Sequence, residues 1–273
     1  MRLKGMVIRR SAVSESAVAP RQRPDHKPLS HGQDWSRNAP SFSPLIEQRD
    51  IRLAASSHES RALLTKSNGV VMANRLSKIG EEAAHCARCP LYLNATQTVF
   101  GEGPTTAAMM MVGEQPGDKE DIAGRPFVGP AGQMLDRALA EIGLDRGSVY
   151  VTNAVKHFKN EPRGKRRLHK RPDSREIQAC RWWLDLELDA LKPKFVVALG
   201  ATAAFALMGR TLVLARERGR LLRWSDGRAG LATIHPSAIL RMRGDAERRE
   251  AFSGFAGDLR EAVRLVGTRA TAS

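Results

Sequence analysis

The sequence predicts an α/β fold, a three-layer α/β/α arrangement around a central, mainly parallel four-stranded sheet. Three observations predict it. Short apolar runs recur from residue 107 onward, as strands buried on both faces do. Between them lie longer segments whose apolar residues return at helical spacing. The residues best suited to chemistry follow the strands directly, where ligands bind in open α/β sheets.

Each element has its own reason. Residues 107–112 are a continuous apolar run ending in Gly113. Residues 131–142 read as a helix with Met134, Leu135, Ala138, Leu139 and Ile142 on one face. Residues 149–155 form a second strand. Residues 173–191 form a helix opened by the capping-box pair Asp173 and Glu176, with Ile177, Cys180, Leu184, Leu188 and Leu191 in a stripe. Residues 195–199 are a third strand, stopped by Gly200 before an Ala-rich helix. Residues 231–234 are a fourth, running into His235-Pro236-Ser237, and a last helix covers 246–266. Strands alternating with helices imply crossovers and hence parallel pairing. Upstream, helical spacing begins at Met72 and runs through Leu76, Ile79, Ala83 and Ala84 toward Cys86. Residues 1–71 show no sustained period and read as a disordered basic extension to a domain over 72–273.

The 273 residues carry 44 Lys and Arg against 29 Asp and Glu, a formal charge of +15. That excess favours nucleic acid, an anionic surface or an acidic partner. Three cysteines cannot make a disulfide framework. No secretory leader pattern follows the first basic residues. The longest mostly apolar run, 195–208, is interrupted by Gly200 and Thr202 and is too short to span a bilayer. A soluble cytoplasmic protein with no membrane partner is the expectation.

Cys86 and Cys89 form a C-x-x-C pair followed by Pro90. Zinc, a redox dithiol and an iron–sulfur cluster all use this spacing. A thioredoxin-like reading is weak, because no strand precedes the pair. Only Cys180 remains, so a fourth ligand from this chain must be another residue. His157, after the second strand, is the candidate; the alternatives are an ordinary loop histidine and, for Cys180, a small buried hydrophobe.

Four motifs then occur in order: Gly113-Glu114-Gln115-Pro116-Gly117, Pro126-Phe127-Val128-Gly129-Pro130-Ala131-Gly132, Thr152-Asn153-Ala154-Val155-Lys156 and His235-Pro236-Ser237. As a set they resemble the motifs of family 4 uracil-DNA glycosylases over about residues 76–268. That family carries four cysteines around a [4Fe-4S] cluster, and His157 stands where the third would be. This departure, with the basic stretch Lys165-Arg166-Arg167-Leu168-His169-Lys170, resembles the UdgX class. The resemblance implies the uracil-DNA glycosylase fold and a [4Fe-4S] cluster on Cys86, Cys89, His157 and Cys180. It implies a monomer acting on uracil-containing DNA, single-stranded DNA favoured, in association with the nucleoid.

It also assigns roles. Phe127 would stack on a base flipped out of the duplex, and Asn153 would read its edge with one amide. His235 would donate to the departing uracil anion, and Ser237 would contact the substrate. Glu114 would stabilise the sugar cation or activate the attacking group. Gln115, Gly117 and Asp118 would face the base from the first strand's turn. Leu240 and Arg241 would fill the space it leaves. Arg167 and the neighbouring cations would dock on phosphates. His169 would be the nucleophile that captures the sugar covalently. A conventional glycosylase that turns over with water, or a non-catalytic metal-containing nucleic-acid-binding module, are the competing expectations.

Overall fold

The computed structural model describes residues 58–270. In chain order they form helix α1 (His58–Ala83), strand β1 (Met109–Gly113), helices α2 (Asp118–Ala123) and α3 (Pro130–Glu141), strands β2 (Tyr150–Asn153), β3 (Asn160–Arg163) and β4 (Arg166–His169), and helix α4 (Ser174–Leu191). Then come β5 (Phe195–Leu199), α5 (Ala201–Met208), α6 (Leu214–Glu217), β6 (Leu222–Arg223), β7 (Ala229–Thr233), α7 (Pro236–Arg241) and α8 (Asp245–Ala270).

The central sheet has the order β2-β1-β5-β7-β6. The first four strands pair in parallel, as expected. A fifth, β6, adds an antiparallel pairing to β7 over only two residues. The expected four-stranded sheet is therefore five-stranded, because a two-residue strand has no apolar run by which to announce itself.

All five residues of β1 are buried, and they alternate between two cores. Met110 and Val112 join Val196 and Ala198 of β5 against α1, α4 and α5. Met109 and Met111 join Phe195, Val197 and Leu199 against α3, α7 and α8. This period-two division makes the molecule three-layered. Helix α1 begins at His58 rather than Met72, so the expected boundary at 71/72 falls inside it. The rest of the expected extension, residues 1–57, lies outside the described residues.

One buried ion pair bears on the site. Lys156 and Glu187 are both completely buried and bonded to each other. Lys156 Nζ also donates to Thr152 Oγ1 and to the Asn153 carbonyl, which engages all three of its protons. Glu187 accepts further bonds from Tyr150 OH, Thr152 Oγ1 and Gly101 N. A buried charge pair persists only when it is satisfied in this way. Here it anchors the end of β2, directly behind Asn153.

Candidate active site

Strand β1 pairs with β2 on one side and β5 on the other, and the chain runs outward both ways. This is the switch point where a crevice opens past the carboxyl ends of the strands. The structure gathers Glu114, Gln115, His169, His235, Ser237 and Arg241 there, around two adjoining cavities of about 420 and 520 Å³. Phe127, Asn153, Gly117, Asp118 and Leu240 line the larger one.

The floor of that cavity is set by Gly113. A side chain there would strike the Asn153 amide oxygen at 2.4 Å and the Phe127 ring at 2.6 Å. Its absence lets an aromatic face and a bidentate amide stand side by side, the equipment needed to stack on a pyrimidine and read its edge. Asn153 is buried, yet its side-chain amide has no hydrogen-bond partner among the described residues. Phe127 sits at φ 57°, a conformation that costs a bulky residue roughly 1–3 kcal/mol. Its ring centroid lies 6.3 Å from that of His235.

His235 caps α7. Its Nδ1 accepts the Ser237 backbone N–H at 3.2 Å, which leaves the ring proton on Nε2. Burial, with the charge of Arg241 and the proximity of His169, pushes its pKa down to about 4. His235 is thus a neutral donor at physiological pH, suited to meeting negative charge as it develops. Ser237 Oγ lies 2.8 Å from the same Nδ1 and accepts from Arg241, so Ser237 orients the ring.

The basic stretch is not a loop. β3 and β4 form an antiparallel hairpin that turns at Gly164 (φ 60°) and ends on His169. Gln115 holds it in place. Its Oε1 accepts Lys159 N–H, and its Nε2 donates to the Lys170 carbonyl and to His169 Nε2, each at 2.8–2.9 Å. The two backbone partners fix the orientation of the amide. An amide N–H can only donate to an unprotonated ring nitrogen, so His169 carries its proton on Nδ1 and presents a lone pair at Nε2. That Nε2 lies 3.6 Å from Glu114 Oε1, while Thr202 Oγ1 donates to Glu114 Oε2 at 2.6 Å.

Several expected site residues also have partners within the fold. Gln115, expected to face the base, lines both cavities while its side-chain amide holds the hairpin. Arg167 was expected on phosphates, but it is ion-paired to Asp118 and Asp121 and also donates to Thr96 Oγ1. Asp118 is thereby a latch for the hairpin. The Gly117 N–H, expected to point at the base, donates to Glu120. Of the hairpin cations, Lys170 pairs with Glu161, whereas Arg163, Lys165 and Arg166 have no ion pair among the described residues. The roles of Thr202, Glu120, Lys156 and Glu187 were not read from the sequence, because each has a partner remote in the chain.

Among the described residues, no group of three or more His, Cys, Asp or Glu side chains converges tightly enough to hold a metal ion. The chemistry of the donor set nonetheless suits one. Cys86 and Cys89 pack against the same core as buried Cys180. Burial raises the Cys89 and Cys180 thiols, the latter to about 12. His157 is buried, and burial lowers its pKa. Thr98 Oγ1 donates to the Ala83 carbonyl and therefore accepts from His157 Nε2. That places the lone pair on Nδ1, which is buried without a hydrogen-bond partner. A buried orphan acceptor of this kind is what a metal ligand looks like before its metal.

A sequence profile of the uracil DNA glycosylase superfamily matches residues 100–260. The chain is 39% identical over 172 residues to a type-4 uracil-DNA glycosylase of Thermotoga maritima, covering 63% of this chain and 86% of that protein. It is 39% identical over 186 residues to a type-4 enzyme of Pyrobaculum aerophilum, covering 63% and 90%. A type-5 uracil-DNA glycosylase of the same organism is 31% identical over 189 residues, covering 57% and 79%. The matched span contains the whole sheet and every residue lining the two cavities, and the chain belongs to the uracil-DNA glycosylase superfamily.

Proposed function

We propose that the protein excises uracil from DNA, single-stranded DNA preferred, and captures the resulting sugar on His169. The observation that carries the reading is the placement of His169 Nε2: bonded to the Gln115 amide nitrogen, half-exposed, and 3.6 Å from Glu114 on the wall shared by both cavities. The relatives named above act on uracil in DNA according to their names, and the pocket chemistry fits that substrate.

The flipped uracil stacks on Phe127, and Asn153 pairs with its edge. The bond between N1 and C1′ breaks, and its electron pair leaves with the base. His235 donates Nε2–H to the anion as it forms. Glu114 faces the sugar cation. The His169 Nε2 lone pair, released from the Gln115 N–H, closes on C1′ and forms a C–N bond. The imidazolium proton on Nδ1 then passes to a carboxylate or to water. Uracil is released once per protein, because imidazole bonded to C1′ is a poor leaving group. Without His169 the same pocket would admit water and turn over.

Cys86, Cys89, Cys180 and His157 Nδ1 would hold a [4Fe-4S] cluster. Bound there it would supply structure, since glycosidic cleavage needs no electrons. Purified without air exposure, the protein should contain iron rather than zinc, and His157→Cys should retain it; stoichiometric zinc would count against the assignment.

Incubation with uracil-containing single-stranded DNA tests the main reading. The expected result is a denaturant-stable complex, with the DNA remnant placed on His169 by mass spectrometry. Repeated turnover without such a complex would leave a conventional glycosylase; no uracil release would leave a binding module.

A further inference from the structure

We propose that Glu120 is a positioning residue that clamps the two walls of the base slot together, an inference that rests on the excision reading above. Its carboxylate is buried between two loops that are separate in the chain. Oε2 accepts the Gly117 N–H at 3.1 Å, and Oε1 accepts the Gly129 N–H at 2.7 Å. Gly117 closes the turn that carries Glu114 and Gln115. Gly129 lies two residues after Phe127. One side chain therefore fixes the distance between the turn presenting the carboxylate and the segment presenting the stacking ring.

The glycines show that the contact is built. Both have φ −87° and extended ψ, a conformation open to any residue. Their lack of a side chain is about space: a Cβ would come 2.6 Å from Oε2 at Gly117 and 2.8 Å from Oε1 at Gly129. Phe127 stands in left-handed backbone, at φ 57°. Glu120 pins the segment just after it. Helix α3 packs close to it as well: a Cβ at Gly132 would lie 1.7 Å from the Phe127 carbonyl oxygen. Without the clamp, the strain at Phe127 can relax by letting the ring leave the slot. Only a carboxylate fits both partners, since each oxygen accepts; an amide of the same shape must turn an NH₂ toward one of the N–H groups.

The test is a double-mutant cycle with Glu120→Gln, Phe127→Ala and the double variant in the full chain. Its readout is the single-turnover rate constant of uracil release from single-stranded DNA. Affinity is measured separately on an oligonucleotide lacking uracil. Glu120→Gln should lower the rate about 10- to 100-fold, as expected for a small misplacement of a reacting group. Its affinity for the uracil-free strand should stay within about twofold of wild type. In the Phe127→Ala background it should add less than about twofold, since coupled sites are not additive. A wild-type rate for Glu120→Gln, or losses that multiply fully in the double variant, would overturn the proposal. Should Glu120→Gln not fold, Gly117→Ala perturbs the same contact and enters the same cycle. Failure of both to fold would make Glu120 a folding residue and overturn it too. If the wild type itself releases no uracil, it is the excision reading that fails.

Discussion

The active-site crevice is built from two regions with different support. Glu114, Asn153 and His235 stand at the ends of β1, β2 and β7, strands whose residues are all buried. Behind Asn153 lies the Lys156–Glu187 pair; behind His235 stands the start of α7. His169 instead ends an exposed two-stranded hairpin that touches the crevice through Gln115 and the Arg167 ion pairs. On the proposed mechanism, the sheet edge would bind and polarise a base by itself. The hairpin would contribute only an attacking group. The difference in support predicts that the proposed excision and capture are separable, and mutations should separate them.

Removing the hairpin's contribution should have the largest effect. His169→Ala should abolish the denaturant-stable DNA complex altogether while uracil release continues, and a denaturing gel with a uracil-release assay reads both. Breaking the support of the sheet edge should act on stability instead. Lys156→Met leaves Glu187 buried without its cation and should cost about 3–5 kcal/mol, read by chemical denaturation. Asn153→Ala and His235→Ala should each slow release and capture alike, by about 2.7–4 kcal/mol in barrier, with DNA affinity nearly intact. Gln115→Ala should sharpen the contrast: loosening the hairpin by about 1 kcal/mol should slow capture severalfold and leave uracil release unchanged.

The smallest effect concerns pH. His235 has a folded-state pKa of about 4, below the ordinary value of 6.5. The unfolded chain therefore binds the proton more readily. The contribution of this residue to stability is complete above about pH 6.5 and declines as pH falls toward 4. His235→Asn should flatten the melting temperature across that window, and an unchanged slope would remove His235 as its source.

The sheet edge was legible in the sequence because burial on two faces forces long apolar runs, and the residue after each run is then placed by geometry. Hence Glu114, Asn153 and His235 could be assembled before any coordinates. The hairpin was not legible as a hairpin. Its strands, Asn-Glu-Pro-Arg and Arg-Arg-Leu-His, have no apolar alternation, since neither face is buried in a core. Gln115 and Arg167 were assigned through the family resemblance, as contacts to base and phosphate. Their actual partners, Lys159, Lys170, Asp118 and Asp121, come from other segments, and a single sequence does not pair distant polar residues. Glu120 was invisible for the same reason. Its link to Gly117 is local, but its link to Gly129 exists only once α2 and α3 are folded.

The hairpin has one more property. Its two ends meet: Lys170 N donates to the Lys159 carbonyl at 2.9 Å, just outside the last paired residues Asn160 and His169. A segment whose entry and exit are adjacent can be lengthened, shortened or replaced by a tight turn without moving the strands that flank it. The proposed capture chemistry would thus reside in a cassette with a closed base, one that could be grafted onto a related sheet edge given a glutamine at the position of Gln115 and a carboxylate pair to receive an arginine.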